Sequence, residues 1–365
     1  MKTVHPNSTA ASEPVAMQQS LVGCLLGTAV GDALGLPFEG LTPSRQSKMF
    51  PDPARYHLLP GKGMVSDDTQ HQCLLAQALI QSDGAAEAFA KDLAWRLRFW
   101  LLGLPAGVGF TSLRATIKLW LGWSPHTSGV FSAGNGPAMR SAILGVCYGS
   151  QPENLRRLIS IGTRITHTDP KAETGALAVA LAAHCSAQGE PTPEAYIKIL
   201  QDLMPVQNEE FFALIRKTTA SVHNGETTET FASGLGLDEG VTGYMFHTVP
   251  VVLHAWLRHP RDFKAALLAV IRCGGDTDTT GAILGSIVGA GVGKEGIPEK
   301  WLDNLFEWPQ TVNWMERLAT QLADHLSHGK NGKPPAVPFV FSFLRNLFFT
   351  AVVLLHGFRR MLPPY

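Results

Sequence analysis

Two short stretches of this chain concentrate oxygen-bearing side chains. Ser66-Asp67-Asp68-Thr69 opens one helix-forming run, and Gly274-Gly275-Asp276-Thr277-Asp278-Thr279 opens another. Ser, Asp and Thr at helix N-termini satisfy free amides, and acids suit the helix dipole. Capping therefore accounts for one residue in each cluster and leaves the second carboxylate unexplained. Neighbouring carboxylates repel unless a cation or a proton lies between them. Clustered hard oxygens suit Mg²⁺ or Mn²⁺ better than zinc. A lone D-x-D is common. Two acid-hydroxyl clusters in a chain only 16% charged carry more weight together. Gly274-Gly275 permits the sharp turn that would aim the second cluster.

Other stretches are weaker signals. In Ser132-Ala133-Gly134-Asn135-Gly136-Pro137, small residues lead to a proline suited to a first helical position. Such a turn can offer backbone amides to a phosphate, though a plain loop has the same composition. In Thr166-His167-Thr168-Asp169-Pro170, Asp169 reads as a helix cap, and His167 by itself reads as structural. Asp32 lies amid apolar residues in Gly31-Asp32-Ala33-Leu34-Gly35, so it needs a partner or an ion. Glu39 follows Pro37 and falls on a loop.

The elements that must position these residues read as helices. Apolar residues recur at three-to-four spacing over Gln70–Gln81, Ala85–Leu102, Lys171–Ala187, Pro193–Leu203 and Asp262–Ile271, while alternating strand patterns are scarce. Gly23, Gly27, Gly31 and Gly35 form one ridge at spacing four, and Gly281, Gly285 and Gly289 form another. Each predicts close interhelical packing in a core.

Residues 1–17 read as a disordered leader without a signal-peptide layout. Residues 18–329 form the main domain, 330–338 a Gly/Pro-rich linker, and 339–365 an apolar, amphipathic tail helix. The tail carries no clustered acids, which predicts an accessory role, with soluble hydrolysis surviving its removal. Arg345 inside it argues against a spanning helix. Docking on the body, self-association and peripheral membrane contact through 339–364 stay open.

The 365 residues are 45% hydrophobic and carry no formal net charge, so a sizeable core is expected and nucleic acid is not. Five scattered cysteines form no C-x-x-C pair, which argues against a disulfide framework and a thiolate zinc site and points to a reducing cytoplasm.

In order, G-D-A-L-G, S-D-D-T, G-N-G-x-A-M-R, T-H-T and G-G-D-T-D-T resemble the ADP-ribosylglycohydrolase family over about Leu21 to His325. The resemblance implies an all-α, single-domain orthogonal helical bundle. It also implies a binuclear Mg²⁺ or Mn²⁺ centre held by Ser66, Asp67, Asp68, Asp276, Asp278 and Thr279. Ser66 stands where threonine is usual, and its hydroxyl is retained. By the same resemblance Glu39 is a mobile acid near the metals. The Ser132, Gly134, Asn135 and Gly136 loop cradles a diphosphate, and His167 lines the ADP-ribose pocket. The implied reaction is hydrolysis of an ADP-ribosyl N- or O-glycosidic bond through an oxocarbenium-like transition state. Water polarised by the metals attacks, with Asp68 or Glu39 as base. The substrate is an ADP-ribosylated protein or an ADP-ribose-containing small molecule. Two other readings are a catalytically silent structural member of the family and an immunity protein against an ADP-ribosylating toxin.

Overall fold

A computed structural model describes residues 13–189, 192–204, 208–329 and 332–364. Among them are 17 α-helices and no sheet, only isolated bridges between loops. The all-α expectation holds. Four of the five helices read from periodicity are observed as Asp67–Ser82, Ala86–Leu102, Pro170–Gln188 and Pro193–Leu203. The fifth runs Phe263–Ile271 behind an Asp262 cap.

The two glycine ridges face each other. The leading helix Glu13–Gly35 packs along the ridge helix Thr277–Val292. A Cβ added to Gly27 would stand 2.1 Å from the Gly285 carbonyl oxygen, and one on Gly31 would stand 2.0 Å from that of Gly281. Bare backbone is what lets the helices approach. This contact also positions the chemistry. It brings Asp32 and the following Glu39 loop to the start of the ridge helix, where Thr277 Oγ1 donates to the Gly35 carbonyl at 2.8 Å. Both helices are buried on nearly all sides, as expected of helices that are apolar all round.

The leading helix begins at Glu13, inside the span read as leader. Met17 packs on the core, and Gln18 donates to Thr320 at 3.3 Å. Residues 1–12 of that leader lie outside the described residues. Pro137 does not start an α-helix. It opens a short 3-10 turn, Ala138–Arg140, ahead of the helix Ala142–Tyr148. The five cysteines are free, and four of them are buried.

The tail helix, Phe339–Arg360, docks on the body through a mixed edge, Arg345 and Asn346 beside Phe349 and Val352, the last two packed on Leu36, Leu58 and Met64. Arg345 is 5% exposed and forks onto Glu307, with Nε to Oε1 at 2.7 Å and Nη2 to Oε2 at 2.6 Å. It also donates to the Val65 carbonyl at 2.6 Å. Asn346 donates to the Gly103 carbonyl at 2.8 Å, and His356 meets that of Pro37 at 2.9 Å. The apolar face points outward: Leu344 is 51% exposed and Leu355 69%. Of the linker, residues 332–338 lack helix and are tied down where Gln77 donates to the Pro335 carbonyl at 2.6 Å.

Candidate active site

The Asp67–Ser82 helix begins at Ser66, whose hydroxyl accepts from the Asp68 amide at 3.2 Å. One residue thus supplies the cap, and both following aspartates are free for other work. Asp32 holds this turn from beneath. Its carboxylate accepts from the Ser66 amide at 2.9 Å and from the Thr69 amide and hydroxyl at 3.1 and 2.5 Å. The partner demanded by a buried Asp32 is therefore a helix N-terminus. Burial pushes its pKa up to about 6, against these hydrogen bonds.

The second cluster is placed by its glycine pair. Gly274 and Gly275 have φ of +68° and +79°, a region that favours glycine. The strand-like turn is stitched on both sides: the Gly275 amide donates to Leu41 at 2.8 Å and the Asp276 amide to Val241 at 2.7 Å. A Cβ on Gly275 would stand 2.0 Å from the Val241 carbonyl oxygen. Asp276 then leads the ridge helix without capping it, because its carboxylate turns to Asn135 Nδ2 at 2.6 Å. Asp278, 5% exposed, accepts from the Thr279 amide at 2.9 Å.

These helix starts meet in one cleft lined by Glu39, Asp67, Asp68, Asp276, Asp278 and Thr279. Thr279 Oγ1 donates to Asp68 Oδ2 at 3.2 Å, joining the two clusters, and Ser66 donates to the same oxygen at 3.0 Å. Asp68 Oδ1 is buried and has no hydrogen-bond partner among the described residues. Burial and the neighbouring carboxylates push Asp68 and Asp278 well above the usual range and Asp67 up to about 8. Glu39 reaches solvent at the mouth; partial desolvation and then Asp276 push it up as well.

This is a site short of positive charge. The donor set is all oxygen, which fits Mg²⁺ or Mn²⁺. No three His, Cys, Asp or Glu side chains among the described residues already converge as a closed ion cage. The carboxylates share a cleft and stand apart within it.

Gly134, Asn135, Gly136 and His167 also line the cleft. Asn135 is already committed: its amide donates to Gly243 at 2.9 Å, and its side chain holds Thr248 and Asp276. It positions the acid cluster. Ser66 lies behind the cleft, and Ser132 sits aside, accepting from Thr111 at 3.1 Å. His167 is buried next to the glycines, where burial and then Arg140 push it down to about 3. It is neutral at physiological pH.

Sequence reading missed three contributors. Gly107, Gly109, Phe110, Thr111 and Ser112 line the cleft. Their signal was available as two glycines followed by hydroxyls at a helix start. Gly243 also lines it. Arg140, 1% exposed, lies behind the His wall, donating to His71 at 2.8 Å and Thr166 at 2.6 Å. Burial lowers its pKa to about 10, with Asp67 pulling the other way. It supplies a fixed cation near the carboxylates.

The geometry has a pH signature in metal-free protein. Asp32 and Asp67 titrate at about 6 and about 8, above the usual carboxylate value of about 4. Stability from these protons is full below about pH 4 and lost as pH rises through the two folded values. With excess chelator, Tm in scanning calorimetry should fall from pH 5 to 8.5. Added Mg²⁺, which binds the ionised form, should reverse that trend. A flat chelated profile would contradict it.

Residues 13–332 match the sequence family described as ADP-ribosylglycohydrolase. The chain belongs to that family of glycosyl-bond hydrolases. A protein of Archaeoglobus fulgidus is 30% identical over 315 residues, covering 84% of this chain and 96% of its own. The ADP-ribosyl-[dinitrogen reductase] glycohydrolase of Rhodospirillum rubrum is 27% identical, covering 78% and 89%. Human ADP-ribosylhydrolase ARH3 is 28% identical, covering 79% and 90%. A solved structure titled ADP-ribosylglycohydrolase-related protein complex superposes with a TM-score of 0.64 at 30% identity, over 85% of this chain and 98% of that one. The tail helix lies beyond the matched residues.

Proposed function

We propose that this hydrolase removes ADP-ribose from an N- or O-linked acceptor, with two divalent cations, Mg²⁺ or Mn²⁺, at the acid cleft. One observation carries the reading: two carboxylate pairs, each at a helix start, face one cleft in which a buried Asp68 oxygen has no partner among the described residues. Ser66, Asp67, Asp68, Asp276, Asp278 and Thr279 would hold the ions, Ser66 also bonding to Asp68. Bound there, such ions would hold the ribose hydroxyls in place and polarise the attacking water.

The remaining roles belong to the chain. Asp68 or Glu39 takes the proton of the attacking water. Asp68 is held rigidly from two sides, whereas Glu39 sits on a solvent-facing loop at the mouth. Gly134 and Gly136 keep their part of the cleft open to a diphosphate, and neutral His167 supports it. A Cβ at Gly136 would stand 3.0 Å from His167 Cε1. Gly136→Val should therefore push His167 aside and weaken ADP-ribose binding about tenfold, a loss of about 1.4 kcal/mol. Calorimetric titration with ADP-ribose checks this, and unchanged affinity would move the diphosphate elsewhere.

The acceptor is the next distinction. Release of ADP-ribose from arginine-, serine- and nucleic-acid-linked substrates, with Mg²⁺ and with Mn²⁺, tests the proposal. Turnover of one protein linkage is the expected result. No release from any of them with either metal would reject hydrolysis of these linkages.

A further inference from the structure

The tail helix turns Arg345, Asn346, Phe349 and Val352 to the body and leaves a second apolar face outside. Its outward stripe, Phe341, Leu344, Leu347, Phe348, Leu355 and Phe358, is 41–69% exposed. A 22-residue helix extends about 33 Å, so the stripe is long. Exposed aromatics of the body continue it. Trp308 lies 5.2 Å from Phe341 and Phe306 6.5 Å from Phe348, ring to ring. Trp95 and Phe99 share a groove with Phe339. Such a continuous apolar surface marks a binding face.

The charge around it selects the occupant. The chain from Phe339 to Pro364 contains no Asp or Glu. At the far end of the stripe, Arg55 and Arg359 line a cleft with Leu355, and no carboxylate lines it. Near the other end the Arg98 guanidinium lies 4.8 Å from the Trp95 ring centre. Tryptophans with cations beside an apolar stripe match the headgroup boundary of a bilayer. A symmetric contact with a second copy would instead bring this cationic margin against itself. A spanning arrangement would pull Arg345 and Asn346 away from Glu307 and Gly103.

We propose that the tail helix seats the protein on a lipid bilayer, its apolar stripe in the acyl boundary and Arg55 and Arg359 at anionic headgroups. The geometry is that of an interfacial helix lying in the membrane plane. It is independent of the hydrolase chemistry, since none of these residues lines the acid cleft.

Flotation of the full chain with phosphatidylcholine vesicles, with and without phosphatidylglycerol, tests it. Binding is expected, and it should be stronger with phosphatidylglycerol. The double variant Leu347→Glu/Leu355→Glu should lose about tenfold or more of its partitioning, while circular dichroism and turnover of a soluble substrate stay unchanged. Arg359→Ser should remove part of the preference for anionic lipid. Failure of the full chain to float with either vesicle overturns the proposal. So does a doubled solution mass that the same double variant abolishes, which makes the face a self-contact. Resistance to carbonate extraction from cell membranes overturns it in favour of a spanning helix.

Discussion

Asp68→Asn and Asp278→Asn should each lower turnover of an ADP-ribosyl substrate by about a thousandfold or more, with the helical circular dichroism intact. Asp68 makes the junction between the two acid clusters, through Ser66 and Thr279. Asparagine keeps an oxygen that can accept both hydroxyls, so the local turn survives. What it loses is the negative charge on which cation affinity depends. Asp278 is buried, and its carboxylate is held well above the usual range by burial and then by Glu39, Asp276, Asp68 and Asp32. Neutralising either group relieves repulsion in metal-free protein. The variants should therefore melt at or above the wild-type temperature in chelator, and below it in saturating Mg²⁺. Near wild-type turnover in both would reduce the clusters to helix caps.

Arg345→Ala should be the most damaging single change to stability in the tail. It leaves Glu307, whose side chain is 1% exposed, without its cation. Breaking a buried pair by removing one partner costs about 3–5 kcal/mol. A fall in Tm of the order of 10 °C is expected. The same residues reach the site: Glu307 accepts from the Val65 amide at 3.2 Å and Arg345 donates to the Val65 carbonyl. Val65 directly precedes Ser66. At the other end, Arg360 donates to the Glu39 carbonyl at 2.5 Å. Removing the tail from Lys333 onward would strip the Arg345 and Arg360 contacts and leave Glu307 buried without its cation. The expectation that soluble hydrolysis survives this deletion is therefore replaced by one of lost stability and impaired turnover. A small change in both Tm and rate for Arg345→Ala would show that the tail is only loosely tied to the body.

The two acid clusters were legible in the sequence because each is local. A helix start needs one cap, and the excess carboxylates stood out within six residues or fewer. The glycine ridges were legible for the same reason: spacing of four places Gly23, Gly27 and Gly31 on one face. That the ridges would pack on each other was not. It follows from a contact between segments more than 240 residues apart. The tail shows the limit most clearly. A helical wheel separates Arg345 and Asn346 from Leu344 and Leu355, but it does not say which side meets the protein. Glu307, lying 38 residues away in sequence, decides that. Asn135 was read from its loop as a phosphate-site residue, and its engagement with Asp276 depends on a remote segment.

Calorimetric titration of metal-stripped protein with Mn²⁺, run beside turnover in excess chelator, tests cation binding by the acid cleft. Two bound ions per chain are expected, with turnover abolished by chelator and restored by Mg²⁺ or Mn²⁺, and with binding lost in Asp278→Asn. Full turnover in excess chelator, with no heat of Mn²⁺ binding, would contradict it.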